Sequence, residues 1–116
     1  MPDDATTPPP VGATAGRARF GMAIVRGGSM VPTLAAGDRL LVGYRRRPRP
    51  DDLVLARFPD GLIVVKRAAE RRGGGWWLTS DQPSIGVDSR HRGVIADDAV
   101  LGVVLARLWP RPRLRW

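Results

Sequence analysis

The sequence predicts a mainly β domain with a compact coiled or barrel-like sheet, and three observations carry this prediction. Apolar residues occur in short runs, turn residues rich in glycine and proline separate these runs, and no segment shows sustained helical periodicity. Short strands that follow one another closely are typical of barrels and coiled sheets. A chain of 116 residues fits one such domain and is long enough to bury a core.

Six candidate strands follow one another along the chain. The turn Pro59-Asp60-Gly61 predicts a hairpin between the third and fourth, because Asp-Gly readily takes the required conformation. The segment from Met30 to Ala36 predicts a short helical turn that ends at Gly37. The candidate strands are Phe20 to Arg26, Arg39 to Tyr44, Leu53 to Phe58, Leu62 to Ala68, Trp76 to Thr79 and Ala99 to Trp109.

The chain divides into a tail, a domain and a second tail. Residues 1–19 lack a periodic apolar pattern and contain three consecutive prolines, so we predict that they are disordered. Residues 20–110 form the predicted domain, and residues 111–116 form a basic C-terminal tail. The chain shows neither a secretory signal nor an apolar run of the roughly 20 residues that span a bilayer. We therefore expect a cytoplasmic protein.

The composition limits the kinds of site and partner that we expect for this chain. The chain has no cysteine and one histidine, which argues against disulfides and metal sites and predicts no cofactor. A formal net charge of +8 raises nucleic acid or an anionic membrane as a partner. However, the arginine clusters flank loops instead of lining a strand with aromatic residues, which favours a solvated surface. We expect no nucleic acid partner and leave a peripheral membrane contact open.

Ser29 lies in a turn that glycine and proline restrict. Gly27 and Gly28 follow an apolar run and let the backbone turn sharply. Pro32 holds Val31 out of the helical region and stiffens the far side of the turn. A rigid and open serine suits nucleophilic catalysis, although an ordinary loop has the same composition.

Lys66 is the one lysine among nineteen lysine and arginine residues. A serine hydroxyl needs a base, and a desolvated lysine can lose its proton whereas arginine stays charged. Strand alternation places Lys66 on the face of Leu62 and Val64, where burial would favour the neutral amine, and directs Arg67 toward solvent. The pattern indicates that Lys66 is a general base for Ser29. The alternative is that Lys66 is a lysine present by chance in an arginine-rich composition.

Five motifs occur in an order and spacing that are specific in combination. The series resembles the type I signal peptidase family of Ser/Lys peptidases, which belongs with LexA-like proteins. Within that family the chain is most similar to the maturation peptidases of nickel-type superoxide dismutase, because it is short and because one of its motifs has the form Ser80-Asp81-x-Pro83. The motifs are Gly27-Gly28-Ser29-Met30-Val31-Pro32-Thr33-Leu34, Gly37-Asp38, Val65-Lys66-Arg67, Ser80-Asp81-Gln82-Pro83 and Asp88-Ser89-Arg90.

The resemblance implies a signal peptidase/LexA-like catalytic fold and a role for each motif. Ser29 would be the nucleophile and a backbone oxyanion donor, and Lys66 the general base. The enzyme would remove an N-terminal leader from a precursor protein, nickel-type superoxide dismutase, and would itself need no metal. The residues expected to hold the motifs together are Asp38, Asp81, Asp88, Ser89 and Arg90.

Two glycines depart from the pattern of bacterial signal peptidases. Gly27 stands where one group of these enzymes has a serine that donates to the oxyanion, so backbone or water must complete the hole. Gly86 stands where a serine orients the lysine. Ser80, Ser84 and Ser89 are the candidates for that role, and the sequence does not choose among them.

Two other functions are compatible with the sequence. A LexA-like regulator that cuts itself shares the Ser/Lys chemistry, and Ala15-Gly16, thirteen residues before Ser29, resembles its cleavage pair. A non-catalytic basic β-barrel would bind single-stranded nucleic acid through arginines and tryptophans. That reading leaves the single lysine unexplained. A triad through His91 is disfavoured because Lys66 suffices.

Overall fold

A seven-stranded antiparallel sheet forms the body of the protein in the computed structural model, which describes residues 19–114. The strand order is β1-β2-β7-β3-β4-β5-β6, and each neighbouring pair is antiparallel. This architecture confirms the predicted mainly β, barrel-like fold. The strands are β1 (Phe20–Ile24), β2 (Arg39–Tyr44), β3 (Leu53–Arg57), β4 (Ile63–Arg72), β5 (Gly75–Thr79), β6 (Ile95–Ala96) and β7 (Val100–Trp109).

The predicted strands differ from the observed ones mainly at their ends. β4 continues to Arg72, which pairs with Gly75 and leaves Gly73 and Gly74 as the turn. The sequence pattern did not reveal β6, the short helix α1 (Ser89–Arg92) or a 3-10 helix (Asp97–Ala99). Each of these elements is too short to show a period, so only pairing and packing define them.

The sheet buries apolar side chains on both faces of its central strands. Val64 and Val65 are adjacent in β4, yet they belong to different clusters. Both faces of β4 are therefore covered. The first cluster contains Ala23, Val25, Met30, Leu34, Leu40, Val42, Leu53, Leu55, Val65 and Val104. The second contains Val54, Ala56, Phe58, Val64, Ala68, Trp76, Leu78, Ile95 and Val103.

The Pro59-Asp60-Gly61 turn joins β3 and β4 as predicted. The Gly61 N–H donates to the Phe58 carbonyl at 2.8 Å, and Gly61 has a φ of +88°. That conformation is costly for residues with a side chain and explains why glycine follows aspartate here.

The predicted N-terminal tail lies almost entirely outside the described residues, whereas most of the predicted C-terminal tail is described. Residues 1–18 and 115–116 are not described, so the disordered N-terminal tail stays a prediction. In the described part of the C-terminal tail, Arg113 forms an antiparallel bridge with Arg107 of β7. Within residues 19–114, no helix has the length and apolar character needed to cross a membrane.

Candidate active site

Three polar side chains meet between the sheet and the turn that follows β1. The amine nitrogen Nζ of Lys66 lies 2.9 Å from Oγ of Ser29 and 2.9 Å from Oγ of Ser80. Relative exposure is 0% for Lys66, 3% for Ser29 and 7% for Ser80. An amine within hydrogen-bond distance of a hydroxyl has the geometry required for base-assisted nucleophilic attack.

Pairing between β4 and β5 brings the amine and one of the hydroxyls together. Arg67 is opposite Thr79 in the antiparallel ladder, so their neighbours Lys66 and Ser80 lie side by side. The other hydroxyl arrives by packing, because the turn that carries Ser29 also carries apolar residues of the first cluster. The site therefore depends on both strand register and the core.

The segment after Ser29 is a turn without a helix, so the helical turn predicted there is confirmed only as a turn. The Leu34 N–H donates to the Met30 carbonyl at 2.8 Å, and Gly37 ends the segment with a φ of +92°. Within residues 19–114, the Ser29 N–H makes no hydrogen bond to the protein. A buried donor without a protein partner is suited to an oxyanion.

Gly27 has a φ of +74°. This left-handed conformation disfavours any residue with a Cβ atom. A serine at this position, as in some signal peptidases, would therefore strain the turn. The backbone conformation at Gly27 is therefore one that favours glycine.

Arg67 does not point freely toward solvent, and this part of the prediction is wrong. The side chain is half-buried and donates to both carboxylate oxygens of Asp81, at 2.8 and 2.7 Å. The reason is that the second face of β4 is also covered. Thr33 also donates to Asp81 through its hydroxyl. These three residues belong to the same three segments as the serine–lysine–serine cluster, and they tie those segments together.

Two further contacts join the serine turn to the segment after β5. The Gln82 N–H donates to the Ser29 carbonyl at 2.7 Å. The Asp81 N–H contacts the sulfur of Met30 at 3.4 Å. The turn is thus held at its main chain as well as by side chains.

Asp88 is the buried carboxylate of the Asp-Ser-Arg motif. It accepts the N–H of Ser80 at 3.0 Å and, from Arg90, the backbone N–H at 2.9 Å and Nε at 3.1 Å. Burial by itself raises the pKa of Asp88, but these hydrogen bonds and the charge of Arg90 outweigh burial and lower the pKa. By holding the Ser80 main chain, Asp88 fixes the residue that contacts the lysine amine.

The other two residues of this motif also hold main-chain groups. The Ser89 hydroxyl accepts the Leu78 N–H at 2.8 Å, and the Arg90 guanidinium donates to the Pro83 carbonyl at 2.6 Å. His91 is half-exposed and belongs to the capping box of α1, where its ring contacts Asp88.

Of the three serines that could orient the lysine, Ser80 is the one in contact with it. The Ser84 hydroxyl donates to Gln82, and the Ser89 hydroxyl is engaged with the main chain of β5. The choice was not readable from the sequence because it depends on which hydroxyl the register of β4 and β5 brings to Lys66.

The sequence profile of a family described as Peptidase S24-like matches residues 7–105. The chain belongs to the Peptidase S24-like family. This membership supports a serine peptidase or LexA-like self-cleaving activity, and it confirms the predicted signal peptidase/LexA-like class. The nickel superoxide dismutase subtype stays a prediction. Searches of curated proteins and of solved structures found no match.

Sequence reasoning missed one supporting residue of this S24-like domain. Arg107 lies in β7, 15% exposed, with its guanidinium 3.4 Å from Asp38 and 3.3 Å from the Thr33 carbonyl. The sequence does contain a feature that indicates this role, because Arg107 lies between Ala106 and Leu108 in an otherwise apolar strand. A charged residue in such a run predicts a buried partner.

We predict that acid destabilises this S24-like domain through two carboxylates. Burial by itself raises the pKa of Asp81, but hydrogen bonds from Arg67 and Thr33 outweigh burial and lower the pKa. Despite burial, the pKa of Asp88 is lowered by its hydrogen bonds with Ser80 and Arg90. Their contribution is complete above the unfolded-state pKa of about 3.9 and is lost as the pH falls through the folded-state values. Urea unfolding between pH 7 and pH 3 measures this loss.

The matched control for this pH dependence is Asp88→Asn. The amide does not titrate, so the variant should start less stable at pH 7 and lose less stability on acidification. An equal pH dependence in the variant and in the wild type would exclude Asp88 as a source.

Proposed function

We propose that the protein is a serine endopeptidase in which Ser29 is the nucleophile and Lys66 is the general base. The observation that carries this proposal is the 2.9 Å contact between the lysine amine and the serine hydroxyl at a buried site. Burial disfavours the charged ammonium form, which could not accept a proton. Arginine could not replace the lysine in this role, because its guanidinium stays protonated.

The proposed reaction has two halves that use the same amine. Ser29 Oγ attacks the peptide carbonyl while Lys66 takes the hydroxyl proton, and the Ser29 N–H stabilises the negative charge on the carbonyl oxygen. Lys66 then gives its proton to the leaving amine as the peptide bond breaks and an ester with Ser29 remains. In the second half Lys66 activates water, which hydrolyses the ester. Ser80 orients the amine throughout.

The proposed substrate is an N-terminal leader that binds as an extended strand. β1 lies at one edge of the sheet and leads directly into the serine turn. An edge strand has main-chain groups that can pair with a peptide. Nickel-type superoxide dismutase precursor is the specific substrate proposed, on the resemblance of the motifs. The predicted cytoplasmic location also belongs to this proposal.

Co-incubation of the purified protein with a nickel superoxide dismutase precursor tests both parts of this proposal. We expect one cut, seen by mass spectrometry of the product's N-terminus, which Ser29→Ala loses while keeping its fold. Cleavage that persists in Ser29→Ala would refute the assigned nucleophile. If the wild type leaves the precursor intact but cuts members of a peptide library, the dismutase assignment fails and the peptidase assignment stands.

Self-cleavage is a second candidate, and one observation favours it. The family match begins at residue 7 and so includes Ala15-Gly16, which lies outside the described residues. Incubation of the full chain followed by intact-mass measurement decides this question. A mass that stays unchanged would exclude cleavage between Ala15 and Gly16.

The expectation that nucleic acid is not a partner stays a prediction, and two of the tryptophans of the described chain support it. Trp76 is buried and has the Arg71 guanidinium 5.5 Å from its ring centre. Trp77 lies beneath Arg72 at 4.0 Å, and Trp109 beneath Arg39 at 5.3 Å. Trp76 is buried and Trp77 is covered by Arg72, so neither ring offers an open platform for base stacking, whereas Trp109 remains 55% exposed.

A further inference from the structure

We propose that the C-terminal segment 110–114 holds the serine turn in place through Arg107, which makes Arg107 a positioning residue. The reason is that one arginine side chain contacts both the C-terminal segment and the stretch directly after the serine turn. The consequence for catalysis rests on the proposed peptidase function, whereas the structural coupling does not.

On one side, Arg107 is bound by the main chain of the C-terminal segment. Its Nε donates to the Arg111 carbonyl at 2.7 Å. Its backbone N–H donates to the Arg113 carbonyl at 2.8 Å and its carbonyl accepts the Arg113 N–H at 3.0 Å. The segment therefore folds back along β7 and engages both the backbone and the guanidinium of one residue.

On the other side, the same guanidinium contacts both ends of the stretch from Thr33 to Asp38. One terminal nitrogen lies 3.3 Å from the Thr33 carbonyl and 3.4 Å from the Asp38 carboxylate. Asp38 in turn accepts the Ala35 N–H at 3.0 Å, while its carbonyl accepts the Val25 N–H at 2.9 Å. Arg107 and Asp38 thus close the loop that carries Ser29.

The contact between Arg107 and Asp38 can fix the position of the serine turn because both side chains are largely buried and the guanidinium is planar. The side chains are 15% exposed for Arg107 and 8% for Asp38, so water competes little for their hydrogen bonds. A guanidinium is a rigid planar fork. The Arg111 carbonyl accepts the hydrogen bond from Nε of Arg107. This contact fixes the plane of the guanidinium and therefore the direction in which its terminal nitrogen meets the segment after the serine turn.

Ending the chain at Pro110 is the direct test. The truncated protein should lose kcat by about 10- to 100-fold with little change in KM, since small misplacements of a reacting group cost this much. The assay uses a fluorogenic peptide that spans the leader junction of the nickel superoxide dismutase precursor. Arg107→Ala should reproduce the effect, and Arg107→Lys should not restore the rate because the fork is lost.

Arg111→Ala is the matched control. It removes a C-terminal charge but keeps the carbonyl that binds Arg107, so kcat should equal that of the wild type. A loss in Arg111→Ala equal to that of the truncated chain would assign the effect to charge and overturn the proposal.

Hydrogen exchange separates this proposal from the proposed function. In the truncated chain, amides of residues 28–38 should exchange at least several-fold faster, while those of β4 stay protected. Unchanged exchange in residues 28–38 overturns the coupling. Faster exchange in a protein whose wild type cuts no peptide supports the coupling and counts against the peptidase. Unchanged kcat in an active truncated chain overturns the positioning role.

Discussion

Replacing Lys66 with methionine is expected to abolish peptide cleavage, with a loss in kcat of about 10⁴-fold, the upper range for removal of a general base. Methionine matches the lysine stem in shape and has no proton acceptor of use to Ser29. Single-turnover cleavage of the precursor, followed by mass spectrometry, measures the loss. Retained cleavage would exclude Lys66 as the base.

The same substitution should lower the free energy of unfolding by about 1–3 kcal/mol. It removes the amine that contacts the buried hydroxyls of Ser29 and Ser80, and a buried polar group left without its partner costs about that much. Arg72→Met is the matched control, because Arg72 is an exposed cation on the same strand that contacts Glu70 and the Trp77 ring. It should leave the rate unchanged and lower the free energy of unfolding by no more than about 1 kcal/mol, since exposed contacts of this kind contribute little.

Replacing Asp88 with alanine is expected to lower the free energy of unfolding by about 1.5–5 kcal/mol. About 0.5–2 kcal/mol comes from the lost helix cap at α1, and about 1–3 kcal/mol from the Ser80 N–H left buried without an acceptor. Urea unfolding at pH 7 measures the difference. Asp88→Asn keeps one acceptor and should cost less.

Asp98→Ala is the control for the loss of a carboxylate, because Asp98 is exposed in the 3-10 helix. It should change the unfolding free energy by no more than about 0.5 kcal/mol, as is usual for surface substitutions. A loss in Asp88→Ala as small as that in Asp98→Ala would show that the cap and the Ser80 contact carry little stability.

The sequence predicted candidate site residues where only one residue in the chain could carry a role. The single lysine and the glycine-flanked serine predicted a contact that the structure places at 2.9 Å. Apolar runs predicted β1 to β5 and β7, because strand formation at this length follows local pattern. Pro59-Asp60-Gly61 predicted its hairpin for the same reason.

Contacts between distant segments could not be read in this way. Arg67 was expected in solvent because alternation describes one strand, whereas the curled sheet covers both faces of β4 and gives this arginine Asp81 as a partner. Likewise, three serines were equivalent in the sequence until strand register placed Ser80 against the lysine.

The sequence by itself therefore determined the class of fold, the family and the residue types able to carry the chemistry, because these depend on local pattern and composition. Only the tertiary structure decided which hydroxyl meets the amine, which carboxylates are buried, and that Arg107 joins the C-terminal segment to the serine turn. Those outcomes depend on strand register and on packing between residues far apart in the chain, such as Thr33 and Arg107, which no local pattern encodes.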